Sequence, residues 1–303
     1  MFIQARYLLR LFLYKMLLLL PPSSLSLFFC CSFFLSVFLI FSLFSTMASS
    51  FDCLIFDLDD TLYPFNTGIA AACKKNIEDF LIEKCGFPKT QAPILRTELF
   101  KTYGSTLAGL RALGYDIKAD DYHGFVHGRL PYDRIKQDFQ LRRLLLTIPH
   151  RKIIFTNSDM NHATEVLGRL GLEDCFEKII CFETMNPNLP KATRPNEFPI
   201  LLKPSMDAMR IALDVAEVDP RRTLFLDDNV RNIAAGKALG LRTVLVGKTV
   251  KSKEADYVVE TVHNLVQAIP EIWVNKESNS NDEMINRSRN DVDSVLMATP
   301  VGA

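Results

Sequence analysis

The sequence of 303 residues has no excess of either charge sign, with 35 basic and 35 acidic side chains, and that balance gives no reason to expect a nucleic acid polymer as partner. It also has no CxxC pair. Of its seven cysteines, Cys30 and Cys31 lie in an apolar leader, and Cys53, Cys73, Cys85, Cys175 and Cys181 lie beyond it. An odd number at such spacings argues against a disulfide framework and against a zinc site. Cys53 and Cys181 sit in strand-like apolar runs, where a thiol serves as a small core residue. Charge is missing altogether from Met16 to Phe51. Arg6, Arg10 and Lys15 are the only charged residues before Asp52, so the remainder holds 32 basic against 35 acidic residues, a formal charge of −3. A mildly acidic body of that kind suits an enzyme of small molecules.

The uncharged leader has two readings. Residues 25–44 are long enough to span a bilayer as a helix, and the basic residues ahead of them would keep the N-terminus cytosolic. The stretch is too long for a signal peptide and is broken at Pro21-Pro22. Residues 21–46, however, are almost wholly Pro, Ser, Leu, Phe and Cys, the set expected from translating a pyrimidine-rich stretch of nucleic acid, and Met47-Ala48-Ser49-Ser50 looks like an ordinary start. The expectation is that translation begins at Met47 and that the protein is cytoplasmic. With the leader present, the protein would be membrane-anchored by residues 25–44.

Beyond the leader, short apolar runs alternate with helical patterns. Cys53-Leu54-Ile55, Lys152–Thr156, Lys178–Cys181, Thr223–Leu226, Arg242–Val246 and Tyr257–Val259 read as strands, with helix-like stretches over Asn161–Leu170, Ser205–Val215 and Val230–Leu239. Such alternation predicts an α/β fold with a doubly wound, Rossmann-like parallel sheet covered on both faces. Residues from about Thr67 to Leu146 show helical spacing only, as in Ile77, Phe80, Leu81 and in Ile94, Leu95, Leu99. The expected division is a core of residues 52–63 and 149–270, an all-helical cap over 64–148, and a polar, disordered tail over 275–303.

Ligands bind at the carboxyl ends of strands in such sheets, and each of those ends here carries polar groups. The first strand runs into Phe56-Asp57-Leu58-Asp59-Asp60-Thr61-Leu62-Tyr63-Pro64, the second into Thr156-Asn157-Ser158-Asp159, and the fourth into Asp227-Asp228-Asn229. Lys203 precedes a helix that begins near Ser205. Each taken alone is explained by helix capping or a solvated loop. Together they supply what phosphoryl transfer needs: a carboxylate nucleophile, a proton donor, and positive charge for the equatorial oxygens. Two acids in one crevice call for a cation between them or for a proton on one of them, and Mg2+, which favours oxygen ligands, suits the first role.

Asp57-Leu58-Asp59-Asp60-Thr61, Thr156, Lys203 and Asp227-Asp228 resemble, in order, the motifs of the haloacid dehalogenase superfamily of phosphohydrolases, over residues 52 to about 270. The resemblance implies Asp57 as nucleophile, Asp59 as general acid and then base, and Thr156 and Lys203 as phosphate ligands, with a backbone amide added by Asn157. It implies Mg2+ on Asp57 and Asp227 and on the backbone carbonyl of Asp59. Asp228 would act on the metal through water or by orienting Lys203. Dehalogenases of this superfamily lack the second acid and ion-pumping ATPases have threonine there, so Asp59 points to a phosphatase.

The helical segment after the first motif is similar to the helical-cap subfamily. Within it, Tyr103-Gly104-Ser105-Thr106 and Phe125–Tyr132 resemble the pyrimidine 5′-nucleotidase branch. The expected substrate is therefore a small phosphate monoester, UMP or CMP, with another metabolite phosphatase or a non-catalytic phosphate-binding protein as alternatives. Tyr103, Ser105, Thr106, His127 and Arg129 are the expected specificity residues.

Overall fold

The structure, a computed structural model, describes residues 51–273. The expectations for residues 1–46 and 275–303 lie outside that range. Within it, six strands form one all-parallel sheet: β1 (Cys53–Phe56), β2 (Arg151–Phe155), β3 (Lys178–Ile180), β4 (Thr223–Asp227), β5 (Arg242–Val246) and β6 (Tyr257–Val259). The spatial order is β3-β2-β1-β4-β5-β6, so the chain winds one way from β1 and then returns to wind the other way. The crevice where the winding reverses lies between β1 and β4.

Alternation along the strands explains why both faces are covered. Leu54 and Phe56 of β1, Ile154 of β2, Leu224 and Leu226 of β4 and Val244 of β5 share one apolar cluster. It is closed by Leu141 and Leu145 of α5 (Phe139–Thr147) and by Ala163, Val166 and Leu167 of α6 (Met160–Leu170). The neighbours in sequence, Cys53, Ile55, Ile153, Phe155 and Phe225, point the other way, onto Ala208, Met209 and Ala212 of α8 (Met206–Ala216) and Ile233 of α9 (Val230–Ala238). A strand buried on both faces reads as a continuous apolar run, which is the form these segments take. Cys53 and Cys181 are fully buried, and all five described cysteines are free.

Between β1 and β2 every regular element is helical. α1 (Ile69–Glu83), α2 (Ala92–Tyr103), α3 (Thr106–Ala112) and α4 (Ala119–Val126) surround an apolar cluster of their own, built from Phe80, Leu81, Leu99, Leu107, Leu110 and Phe125. Phe182 of the short α7 (Phe182–Met185) and Leu189, which follow β3, complete it. The expected spacing in α2 is met by Leu95 and Leu99, whereas Ile94 is 66% exposed. The cause is the helix's choice of face: it packs through Ala92, Leu95 and Leu99, and Ile94 falls outside that stripe. α5 also precedes β2 in sequence but packs on the sheet. No helix among the described residues is long and apolar enough to cross a membrane.

Candidate active site

The register of the sheet sets Phe56 beside Leu226, which brings Asp57 and Asp227 abreast at the carboxyl edge of the crevice. The Asp57 amide still donates to the Leu226 carbonyl at 2.8 Å, so its backbone is held as an extension of β1. The chain then turns sharply. Leu62 N–H reaches back to the Leu58 carbonyl at 3.0 Å, and Asp60 takes a left-handed φ of 58°. Aspartate is one of the few non-glycine residues that visit this region. The turn lets Thr61 Oγ1 donate to Asp57 Oδ2 at 3.0 Å and Tyr63 Oη donate to Asp59 Oδ1 at 2.6 Å.

Lys203 lies under the crevice, only 3% exposed. Its Nζ donates to Asp57 Oδ1 at 2.7 Å, Asp227 Oδ2 at 2.8 Å and the Phe155 carbonyl at 2.7 Å. An ammonium has three N–H donors, and all three are used. Its place in the chain is fixed by Asn157, whose side chain accepts from Lys203 N at 2.8 Å and donates to Lys203 O at 3.0 Å. Asn157 thus clamps the segment after β2 to the segment ahead of α8. Asp227, fully buried, also accepts from Asn229 N at 2.9 Å and from Asn232 Nδ2 at 3.0 Å.

The carboxylate oxygens of Asp57, Asp227 and Asp228 lie within 4.8 Å of one another. Burial pushes the Asp57 carboxyl well above its ordinary range; Lys203 opposes this and Asp227 adds to it. Burial and the charge of Asp227 push Asp228 up to about 7. Three carboxylates offset by one ammonium are a charge surplus that a divalent cation would relieve, and the all-oxygen donor set fits a hard cation such as Mg2+.

Asp59 has a different setting. Besides Tyr63, it receives Ser158 Oγ at 2.8 Å, Thr156 Oγ1 at 3.4 Å and His162 Nε2 at 2.7 Å. Burial disfavours its charge, but the charge and hydrogen bond of His162, together with the hydroxyls, more than reverse this and hold the carboxyl below its ordinary range. His162, in the first turn of α6, has no counterpart in the sequence-based expectations. Its signal was the run Asn157-Ser158-Asp159 followed three residues on by histidine, which sets His162 on the same helix face as the capping Asp159.

Between the helical segment and the strand ends lies a cavity of about 300 Å³. Lys74, Arg96, Phe100, Ser105, Thr106 and His123 line it from the helical side, and Asn157, Ser158 and Phe182 from the core. Ser105 and Thr106 are thus among the lining residues, and Ser105 Oγ also caps α3 by accepting from Ala108 N at 3.0 Å. His127 lines the cavity too, but its Nδ1 is hydrogen-bonded to Asp159. Tyr103 and Arg129 are not among the lining residues. Tyr103 lies over Gly109, where an added Cβ would come within 2.9 Å of its ring, so Gly109 serves helix packing. Arg129 stacks on Phe125 at 3.6 Å and faces Glu83. The residue that sequence reasoning missed here is His123. Burial, aided by the nearby His127, pushes its imidazole down to about 4, so at neutral pH the ring is uncharged.

A set of strand-end acids around one buried lysine on a parallel sheet defines a class, and comparison with known proteins agrees with it. The haloacid dehalogenase-like hydrolase family matches residues 51–240, and the chain belongs to that family. Phosphate metabolism protein 8 of Saccharomyces cerevisiae is 27% identical over 199 residues, 63% of this chain and 60% of that protein. The chain thus spans about 60% of the length of that relative. N-acetylmuramic acid 6-phosphate phosphatase of Pseudomonas putida is 24% identical over 205 residues, 64% of this chain and 81% of that protein. Among solved structures, a HAD phosphatase from Thermococcus onnurineus shares the fold with a TM-score of 0.50 at 17% identity, over 71% of this chain and 96% of that one.

Proposed function

We propose that the protein is a magnesium-dependent phosphomonoesterase that works through an aspartyl-phosphate on Asp57, with pyrimidine nucleoside 5′-monophosphates, UMP or CMP, as its substrates. One observation carries the reaction type: a nucleophile-grade carboxylate, held by Lys203 and Thr61, stands at the end of β1 in the same crevice as a second, separately hydrogen-bonded carboxylate. A phosphate-binding protein without catalysis has no use for Asp59.

In this reading an Asp57 oxygen attacks phosphorus, the ester P–O bond breaks, and the leaving oxygen takes a proton from Asp59. A water then attacks the phosphoenzyme and gives its proton to Asp59, the bond from phosphorus to the Asp57 oxygen breaks, and inorganic phosphate leaves. The four donors around Asp59 favour its ionised form, the form that the first half-reaction leaves and the second requires; the proton taken from water restores the acid for the next cycle. Lys203 compensates the charge of Asp57 and Asp227; a phosphate oxygen can gain one of its N–H groups only by exchange, and the bond to Asp57 is the natural one to give up as that oxygen bonds to phosphorus. Asp57, Asp227 and Asp228 would hold Mg2+, which supplies positive charge to the phosphoryl oxygens when bound. The cavity supports a nucleotide because Phe100 and Phe182 offer aromatic surface, Lys74 and Arg96 offer positive charge, and Ser105 and Thr106 offer hydroxyls.

A panel of nucleoside monophosphates, sugar phosphates and cofactor phosphates, ranked by kcat/KM, tests the substrate. UMP and CMP are expected to lead the purine nucleotides and sugar phosphates by at least about tenfold, the discrimination that roughly 1.4 kcal/mol of differential binding provides. Equal cleavage of all three groups would overturn the nucleotide reading. The relative from Pseudomonas putida is named for a sugar phosphate, which makes sugar phosphates the instructive competitors.

A further inference from the structure

Of the four hydrogen-bond donors on Asp59, three come from its own turn or from the segment directly after β2, namely Tyr63, Thr156 and Ser158. The fourth, His162, differs because its other nitrogen is also held. His162 Nδ1 lies 2.8 Å from Tyr132 Oη, while Nε2 lies 2.7 Å from Asp59 Oδ1. An ionised carboxylate can only accept, so Nε2 is the donor to Asp59. Nδ1 is joined to the Tyr132 hydroxyl in either state, donating to Oη in the charged ring that Asp59 favours and accepting from it in the neutral ring. Each group in the line Tyr132, His162, Asp59 thus fixes the next, the logic by which one hydrogen bond sets the tautomer and aim of an imidazole.

Packing leaves the ring little freedom. His162 is 3% exposed, its ring centroid is 4.6 Å from that of His127 and 5.6 Å from that of Tyr132, and Asp159 caps its helix. Tyr132 is only partly buried and belongs to the chain between α4 and α5, which joins the helical segment to the sheet. Asp59 is therefore linked by two consecutive hydrogen bonds to the chain segment between α4 and α5. A histidine that merely filled space would need neither bond.

We propose that His162, oriented by Tyr132, is a positioning residue that holds the Asp59 carboxyl group at the angle required for proton transfer, to the leaving group in its acid form and from water in its ionised form. The inference rests on the reading of Asp59 as general acid and base. Its consequence is specific to the leaving group. An alkyl phosphate needs a proton on its departing oxygen, whereas an activated aryl phosphate departs with little help, so misplacing the acid should cost the first far more than the second.

The test compares kcat/KM, which reports the steps up to release of the leaving group, for β-glycerophosphate and p-nitrophenyl phosphate. His162→Phe is expected to lower the value for the alkyl ester by about a hundredfold and that for the aryl ester by less than about tenfold, a share of the roughly 10²–10⁴ that general acid catalysis provides. His162→Gln, which keeps an N–H donor, should recover most of the loss. Tyr132→Phe removes only a hydroxyl from a partly exposed ring and so leaves the fold intact; it should lower the alkyl value several-fold, about threefold to tenfold, with little change in the aryl value. Equal losses on both substrates, or a Tyr132→Phe enzyme indistinguishable from the wild type, would overturn the positioning role. Asp59→Asn separates the two layers: if it hydrolyses the alkyl ester at the wild-type rate, the acid-base reading itself fails, and if it is inactive while His162→Phe and Tyr132→Phe are unaffected, only the positioning role fails.

Discussion

Lys203 shows how much one residue can settle. Its ammonium meets two carboxylates and a carbonyl in a site from which water is nearly excluded, and Asn157 fixes its backbone on both sides. The lysine and the strand-end acids were legible in the sequence because each follows an apolar run whose end is easy to locate. His123 was not, since a histidine inside a helix carries no local pattern that separates a core side chain from a site residue, and His162 was marked only by its spacing from the capping Asp159. His123 yields a test. Its unfolded form takes a proton near the ordinary value of about 6.5, whereas the folded ring, buried and facing His127, His162, Asp159 and Glu183, does so only near about 4. The neutral ring's contribution to stability is therefore present above about 6.5 and is lost as the pH falls towards 4. Between pH 7.5 and 5 the wild type is expected to lose about 2 kcal/mol more than His123→Phe, measured by urea unfolding. Identical losses in the two proteins would show that the ring is solvated.

At the scale of elements, the turn after β1 and the helices that flank the crevice owe their geometry to a few side chains. Asp159 caps α6 and Asn229 caps α9, so polar residues at these strand ends do both of the jobs that a sequence reading sets against each other. α9 approaches β4 so closely that a Cβ on Gly236 would stand 2.8 Å from Phe225 Cδ1 and 3.2 Å from Leu241 Cδ1. Gly236→Ala is accordingly expected to destabilise by about 1–3 kcal/mol, despite the better helix propensity of alanine, and to shift the thermal midpoint down. A rise in the midpoint would mean that Phe225 can rotate away at no cost. The strands were readable in the sequence because burial on both faces demands unbroken apolar runs. The inward face of a helix such as α2 was less so, because which stripe of an apolar helix packs inward depends on neighbours far along the chain. Ile94, 66% exposed on α2, lies where that choice was made differently.

For the molecule as a whole, the doubly wound sheet brings residues from positions 57, 203 and 227 into one crevice, and a cavity lies between the helical segment and Asn157 and Ser158 at the end of β2. Three clustered carboxylates are a repulsion that folding must accommodate, so a bound divalent cation should stabilise the whole fold. Mg2+ at 100 times its Kd is expected to add about 2.7 kcal/mol, read as a rise in Tm that shrinks in Asp228→Asn. No rise in the wild type would remove the metal site. The central claim, that Asp57 becomes covalently phosphorylated, has a more direct test. The protein is mixed briefly with a phosphate monoester, quenched in acid and treated with borohydride, which reduces an aspartyl-phosphate to homoserine, and its peptides are analysed by mass spectrometry. Homoserine is expected at position 57 and nowhere else, and it should be absent from Asp57→Asn; a label at another residue, or full turnover by Asp57→Asn, would contradict the mechanism.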